Sequence, residues 1–307
     1  MSGYHRRTFD NILPAAIELK ARRHDITAVY VAWGKPHNLG YEKVLEDCGF
    51  TVHTIPWRNS PPDNRLYEAE ILWRGDFDAV LIAEEGQAPD CYWYGVSCAT
   101  RTGKRTKRVP IVAMQHGYAQ DWGRLKSALN ADYFLIWGLY AIDRVQADPR
   151  FILTGNPRFD SYDIKDANCC YGYTLAMAWP GDICNERLAT LPLADSPIRL
   201  MRHPDDTSTS GVFNYFCAAS ACIIYEIWSG QEQSTQQLIC YADAVITRPS
   251  TCALEAAMYG KTVIPWNWNS NHPVPTQKNL DFLLQRGDST RRVANFMEGV
   301  AQEWQSK

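Results

Sequence analysis

ADAVITRPSTCALEA (residues 242–256) and GKTVIP (residues 260–265) follow each other closely, and together they are the most informative stretch of the sequence. Their apolar runs Ala244–Thr247 and Thr262–Pro265 are typical of strands that are buried on both faces of a parallel sheet. Between these runs, a Pro-Ser turn leads into a predicted helix, Thr251–Tyr259. Strand, helix and strand in this order predict a right-handed βαβ unit.

The same alternation extends along the whole chain of 307 residues, and it predicts an α/β protein with two doubly wound domains. A domain boundary is expected where the strand signal gives way to a polar stretch, shortly after GNP at residues 155–157. The predicted domains are residues 1–160 and residues 161–307, and the second includes the C-terminal helices.

The beginning of the chain departs from this pattern. A doubly wound domain usually opens with a strand, whereas MSGYHRR (residues 1–7) leads almost directly into a predicted helix, Phe9–Arg23. The first strand is therefore either absent, or the sequence begins downstream of it.

Four polar motifs each follow a predicted strand. They are QHG (residues 115–117), TGNPRFD (154–160), RHP (202–204) and the stretch quoted above, residues 242–256 with 260–265, in which RPSTCALEA (248–256) follows the strand. Since ligands of open α/β sheets bind beyond the carboxyl ends of the strands, these motifs are the candidate functional residues.

Read together, the four motifs resemble those of UDP-N-acetylglucosamine 2-epimerases, wall-polymer glycerophosphotransferases and related capsule glycosyltransferases. The resemblance implies the GT-B architecture, in which two Rossmann-like doubly wound domains face a cleft. It also implies a glycosyltransferase that moves a sugar from a nucleotide sugar, with UDP favoured, to an acceptor hydroxyl with inversion and without a metal. A 2-epimerase and a non-catalytic nucleotide-binding protein remain alternatives. The carboxylates expected of an epimerase are not evident.

The fourth motif is the predicted donor site. A helix that starts beside the end of a strand presents free N–H groups and a positive dipole end to a diphosphate, and Ser250 and Thr251 add hydroxyl donors. The resemblance implies that Glu255 accepts hydrogen bonds from ribose hydroxyls. The alternative interpretation is an ordinary N-cap at Ser250 and a surface glutamate.

Four cationic residues are candidates to neutralise the leaving diphosphate, and a glycine turn is a second candidate phosphate or sugar loop. The cationic candidates are Arg158, Arg202, His203 and Arg248, and the glycine is Gly181. Any single arginine could instead form a surface or hinge ion pair.

His116 is the predicted catalytic base, because a histidine near its ordinary pKa can deprotonate an acceptor hydroxyl. Asp121 and Glu85 are rival bases. A structural histidine bound to a loop carbonyl is the alternative.

The acceptor is predicted to be a glycan or polymer, or else DNA that carries hydroxymethylated bases. The DNA hypothesis rests on the basic run RTGKRTKR at residues 101–108 in the predicted acceptor domain, whose cations could contact phosphates. Its cations are Arg101, Lys104, Arg105, Lys107 and Arg108. A solvated loop or an attraction to anionic lipid would explain the same run.

The composition and the residue spacings argue against several other classes of protein. The net charge of −3 gives no general basic field, and the 10 cysteines have no metal-binding spacing. The DFD sequence at residues 76–78 precedes a strand, so it is interpreted as a turn. No apolar run is long enough for a membrane span, and the sequence predicts no metal and a cytoplasmic location in a bacterium or a phage-infected cell.

Overall fold

The computed structural model describes residues 2–3, 6–32, 40–56, 77–82, 109–118, 122, 131–145, 148–162, 172–178, 198–202, 225–227, 234–266, 268 and 271–306. The chain forms two compact units. The first contains Met1–His116, Gln120–Tyr162 and Asp281–Lys307, and the second contains Gly117–Ala119 and Asp163–Leu280. Each unit is built on a parallel β-sheet, which confirms the predicted α/β class.

Within the described residues, the sheet of the first unit has seven strands in the order β3-β2-β1-β4-β5-β6-β7, and all its pairings are parallel. This is the doubly wound order. From β1 the strands are added toward one edge of the sheet as far as β3, and from β4 they are added toward the other edge, so the switch point lies between β1 and β4. The strands are β1 Ser2–Gly3, β2 Thr27–Ala32, β3 Thr51–Pro56, β4 Val80–Ile82, β5 Ile111–Met114, β6 Tyr133–Ile136 and β7 Phe151–Leu153.

Strand β1 settles the question that the beginning of the sequence left open. Ser2 pairs with Val29 on one side and with Ile82 on the other, so the first strand is present and lies inside the sheet, between β2 and β4. With two residues, Ser2–Gly3, it is too short to give an apolar pattern. Only its pairing with β2 and β4 identifies it.

The first unit buries one face of helix α1, Arg6–Ala21, against its sheet. Phe9, Ile12, Ala16 and Leu19 of this helix recur at helical spacing and belong to the main hydrophobic core. Further helical elements of this part of the unit are α2 Tyr41–Asp47, α3 Leu139–Val145 and a 3₁₀ helix Pro157–Ser161.

The described part of the second unit has a five-stranded parallel sheet in the order β10-β9-β8-β11-β12. The strands are added toward one edge from β8 to β10 and toward the other edge from β11 to β12. The topological switch point therefore lies between β8 and β11. The strands are β8 Thr174–Ala178, β9 Ile198–Arg202, β10 Tyr225–Ile227, β11 Ala244–Thr247 and β12 Thr262–Pro265, with helices α4 Thr235–Tyr241 and α5 Thr251–Met258.

The C-terminal helices correct the predicted division into domains. Helix α6 is Leu280–Leu283 and helix α7 is Ser289–Gln305. These helices were predicted to belong to the second domain, whereas residues from Asp281 onward belong to the first unit. The physical reason is the apolar stripe of α7, in which Val293, Ala294, Met297 and Val300 join the core that α1 builds.

The described part of the chain contains no helix that is long and apolar enough to cross a membrane.

Candidate functional site

The carboxyl edge of the second sheet carries the fourth predicted motif, whose RPSTCALEA part begins where β11 ends. Thr247 ends β11 and pairs in register with Pro265, while Ile246 pairs with Ala176 of β8. Helix α5 begins four residues after Thr247, at Thr251. The turn between β11 and α5 therefore lies beside the switch point, where open α/β sheets bind their ligands.

Ser250 occupies the N-cap position of α5, but its hydroxyl does not cap the helix. It lies instead 3.0 Å from the hydroxyl of Thr247, which is 1% exposed. Ser234 of α4 provides the comparison within the same chain. Its hydroxyl accepts from the Gln237 amide at 3.1 Å and completes a capping box. The interpretation of Ser250 as an ordinary N-cap was therefore wrong.

Glu255 lies one turn into α5 and is 1% exposed, so it is not a surface glutamate. The helix around it is buried from Ala253 to Met258. Thr251 and Arg248 are half-buried at the start of the helix. The structure thus brings Arg248, Ser250, Thr251 and Glu255 onto one turn and the helix that follows it.

Arg202 is the last residue of β9 and pairs with Ala178 at the end of β8. Its backbone therefore lies on the same edge as Thr247, two strands away, which corresponds to roughly 10 Å. His203 and Gly181 lie outside the described residues.

In the first unit, Gln115 is a structural anchor at the end of β5. Its side chain is fully buried, donates to the Tyr140 hydroxyl at 2.8 Å and accepts from the Trp137 amide at 3.0 Å. These bonds tie the end of β5 to the turn after β6. His116 follows it at the carboxyl edge and is half-buried. Its Nδ1 atom is buried and has no hydrogen-bond partner among the described residues.

The TGNPRFD motif mainly holds the C-terminal helix. Gly155 has φ +79°, and a Cβ atom there would lie 2.2 Å from the carbonyl oxygen of Gln285. The carbonyl of Thr154 accepts from Nε of Arg292 at 2.8 Å, and the Asp160 carboxylate accepts from the Thr290 amide at 2.6 Å. Thr154, Gly155 and Asp160 of the motif therefore contact α7 or the residues just before it.

Arg158, the candidate donor-binding residue of this motif, is half-buried in the 3₁₀ helix. Its backbone amide donates to the Asn156 side chain at 3.0 Å. Asn156 in turn donates to Asn11 of α1, and Asn11 donates to the backbone carbonyl of His116 at 3.3 Å. Asn11 was not among the site residues predicted from the sequence. The available signal was a polar side chain between Phe9 and Ile12 of an otherwise apolar helix face.

Several predicted site residues lie outside the described residues, and their roles stay predictions. These are Asp121, Glu85, and the basic residues Arg101, Lys104, Arg105, Lys107 and Arg108. Among the residues that the structure does describe, no group of three or more His, Cys, Asp or Glu side chains could hold a metal ion.

No protein-family model and no curated protein matches the sequence. Solved structures do match. UDP-GlcNAc 2-epimerase from Neisseria meningitidis, bound to UDP-GlcNAc, has a TM-score of 0.61 at 12% identity and covers 100% of this chain and 99% of its own. The Methanocaldococcus jannaschii UDP-GlcNAc 2-epimerase in complex with UDP-GlcNAc and UDP has a TM-score of 0.60 at 12% identity, with 98% and 91% covered.

A further match is Arabidopsis thaliana UGT89C1 complexed with UDP, with a TM-score of 0.53 at 12% identity and 98% and 89% of the two chains covered. At these identities the likeness concerns the fold. The two parallel α/β units of this chain have the GT-B fold, which it shares with UDP-GlcNAc 2-epimerases and UDP-glycosyltransferases.

Proposed function

We propose that this protein is an enzyme that binds a nucleotide sugar, with UDP as the favoured nucleotide, at the turn between β11 and α5. The observation that carries the proposal is the start of α5, at the switch point of the sheet, where Ser250 does not use its hydroxyl to cap the helix. Backbone N–H groups and the dipole of such a helix start stabilise a diphosphate. The hydroxyls of Ser250 and Thr251 add donors.

Glu255 accepts hydrogen bonds from the ribose hydroxyls in this proposal. Its burial, at 1% exposed, supports a specific role because a buried carboxylate is stable only where hydrogen-bond donors or cations face it. The structures of other GT-B proteins with UDP or UDP-GlcNAc support the choice of nucleotide.

The proposed reaction is the transfer of the sugar to an acceptor hydroxyl with inversion. The acceptor oxygen attacks the anomeric carbon while the bond between that carbon and the β-phosphate oxygen breaks, and UDP leaves with the electron pair. His116 takes the acceptor proton. Arg158, Arg202, His203 and Arg248 are the candidates to neutralise the leaving diphosphate, which makes a metal unnecessary in this scheme.

Epimerisation at C2 of the sugar is the second candidate. Its support is the similarity to the epimerase structures, which have TM-scores of 0.60 and 0.61, while UGT89C1 has a TM-score of 0.53. The fold is common to both classes and does not decide between them. A protein that binds the nucleotide without turnover is the third possibility.

One experiment separates these functions. The protein is incubated with UDP-GlcNAc, UDP-glucose, and matching GDP and CDP sugars, and free nucleotide and sugar stereochemistry are measured by chromatography and NMR. Nucleotide release supports transfer or hydrolysis, and a C2 epimer without release supports epimerisation. Binding without either product supports the non-catalytic alternative. Absence of binding and turnover with every donor refutes the proposal.

The acceptor is proposed to be a glycan or polymer, with hydroxymethylated DNA as the alternative that the basic run at residues 101–108 suggests. Adding hydroxymethylcytosine DNA to the same incubation tests this alternative. A sugar-sized mass gain on the modified base would establish the DNA acceptor.

A further inference from the structure

A chain of three hydrogen bonds joins Arg158 and His116, two candidate site residues of the first unit, and the proposed chemistry does not use it. The Arg158 amide donates to Oδ1 of Asn156 at 3.0 Å, and Nδ2 of Asn156 donates to Oδ1 of Asn11 at 3.0 Å. Nδ2 of Asn11 then donates to the carbonyl oxygen of His116 at 3.3 Å. Asn11 is 2% exposed and Asn156 is fully buried.

The direction of this chain is fixed at both ends. A backbone N–H at Arg158 can only donate, and a backbone carbonyl at His116 can only accept. Each asparagine must therefore accept with its oxygen and donate with its nitrogen. Rotating either amide by 180° would place two oxygens or two N–H groups against each other in a buried place.

This series of hydrogen bonds connects two parts of the first unit that do not lie on neighbouring strands. His116 follows β5 and the 3₁₀ helix of Arg158 follows β7, while β6 separates these strands. Asn11 comes from α1, the helix that follows strand β1. The two asparagines thus bridge a separation of two strand positions, roughly 10 Å.

We infer that Asn11 and Asn156 are positioning residues that fix the backbone of His116 relative to the 3₁₀ helix that carries Arg158. The consequence for catalysis rests on the proposed function, whereas the positioning itself does not. The His116 carbonyl loses a donor when Asn11 is removed, and Asn11 loses the partner that orients its amide when Asn156 is removed, so the His116 loop shifts in either case. Loss of Asn156 acts on His116 through Asn11.

The positioning is tested without substrate, by NMR of the imidazole rings in protein labelled at its 7 histidines. The His116 signal is assigned from its disappearance in His116→Gln. We expect Asn11→Ala and Asn156→Ala each to shift this signal, and Asn156→Ala to produce no further shift in an Asn11→Ala background. An unchanged His116 signal in both variants, or additive shifts in the double variant, overturns the inference.

Asn279 supplies the matched control. Its Nδ2 also donates to a backbone carbonyl, that of Val274 at 2.9 Å, and its Oδ1 accepts from a backbone amide at 2.8 Å, but it belongs to the second unit. Asn279→Ala should leave the His116 signal in place. A shift as large as that of Asn11→Ala would overturn the inference. Thermal melts check folding, and Asn11→Ser and Asn156→Ser replace any alanine variant that does not fold.

The catalytic consequence is tested by UDP release from UDP-GlcNAc. Misplacement of a base lowers kcat, so we expect Asn11→Ala and Asn156→Ala to reduce kcat by about 10- to 100-fold with KM changed less than about twofold. In a His116→Ala background the same substitutions should have no further effect. Equal losses in both backgrounds would overturn the role through His116. A wild-type protein that releases no UDP refutes this donor reaction, and the ring signals then still decide the positioning.

Discussion

Gly155→Ala tests the close approach between the loop after β7 and the C-terminal helix. A Cβ atom at this position would lie 2.2 Å from the Gln285 carbonyl oxygen and 2.3 Å from the Ser289 hydroxyl. The residue also has φ +79°, a conformation that costs about 1–2 kcal/mol for a residue other than glycine. Relief of the overlap requires a backbone shift and adds about 1–3 kcal/mol.

Gly40→Ala isolates the overlap from the backbone strain. Gly40 has φ +77°, nearly the same as Gly155, but among the described residues a Cβ atom there would meet nothing within 4 Å. We therefore expect Gly155→Ala to lower the free energy of unfolding of the first unit by about 1–3 kcal/mol more than Gly40→Ala does.

Hydrogen exchange measured by mass spectrometry is the suitable assay, because it reports on α7 separately from the second unit. A difference of about 1–3 kcal/mol corresponds to exchange of the α7 amides that is roughly 5- to 150-fold faster in Gly155→Ala than in Gly40→Ala. Equal exchange in the two variants would refute the reasoning, since the overlap would then cost nothing and α7 would not depend on the loop at Gly155.

Three further predictions concern the turn between β11 and α5, the basic run at residues 101–108, and the contact of Arg22 and His24 with Glu298 of α7. Ser234→Ala should lower the free energy of unfolding by about 1 kcal/mol because it removes a helix cap. Ser250→Ala should lower it by less, and it should weaken UDP binding by about 2- to 10-fold in calorimetry. A larger loss of stability in Ser250→Ala than in Ser234→Ala would contradict the two cap geometries. Replacing the five Lys and Arg residues of the run 101–108 by Gln should abolish salt-sensitive binding to DNA, and unchanged binding, or none in the parent protein, would reject the DNA acceptor. The His24 ring at 2.8 Å, then the Arg22 guanidinium, hold the pKa of the Glu298 carboxyl below its ordinary value of 4.5, so the stability it contributes is present above that value and is lost as the pH falls further. Urea midpoints from about pH 6 to about pH 3 should fall more steeply for the wild type than for Glu298→Gln, and parallel curves would show that the contact is not linked to folding.

Local sequence signals were sufficient to predict the strands and the helix around the turn between β11 and α5. The strands Ala244–Thr247 and Thr262–Pro265 were predicted with the bounds that the structure has. An apolar run of four residues between turn signals is recognisable because a strand buried on both faces needs apolar side chains on both. Helix α5 was likewise predicted, one residue longer at its C-terminal end than in the structure.

The environment of individual side chains was less predictable. The local sequence distinguishes the two serines in one respect, since Gln237 stands three residues after Ser234, as in a capping box, whereas Ala253 stands three residues after Ser250. The difference arises because Thr247 lies within 3.0 Å of the Ser250 hydroxyl, whereas Gln237 completes a capping box with Ser234. Similarly, Gly155 belongs to a motif interpreted as functional, and its requirement for glycine comes from residues 130 or more positions away.

The sequence by itself determined the α/β class, the alternation of strands and helices, and the positions of the four motifs after strands. These follow from apolar periodicity and turn residues, which act over a few neighbouring positions. Only the tertiary structure decided that Ser2–Gly3 is a strand inside the first sheet, that α7 packs in the first unit, and that Asn11 and Asn156 connect His116 with Arg158. Each of these features depends on contacts between residues that are distant in the chain, and the pairing partners of a short strand or a buried amide leave no pattern in the residues around it.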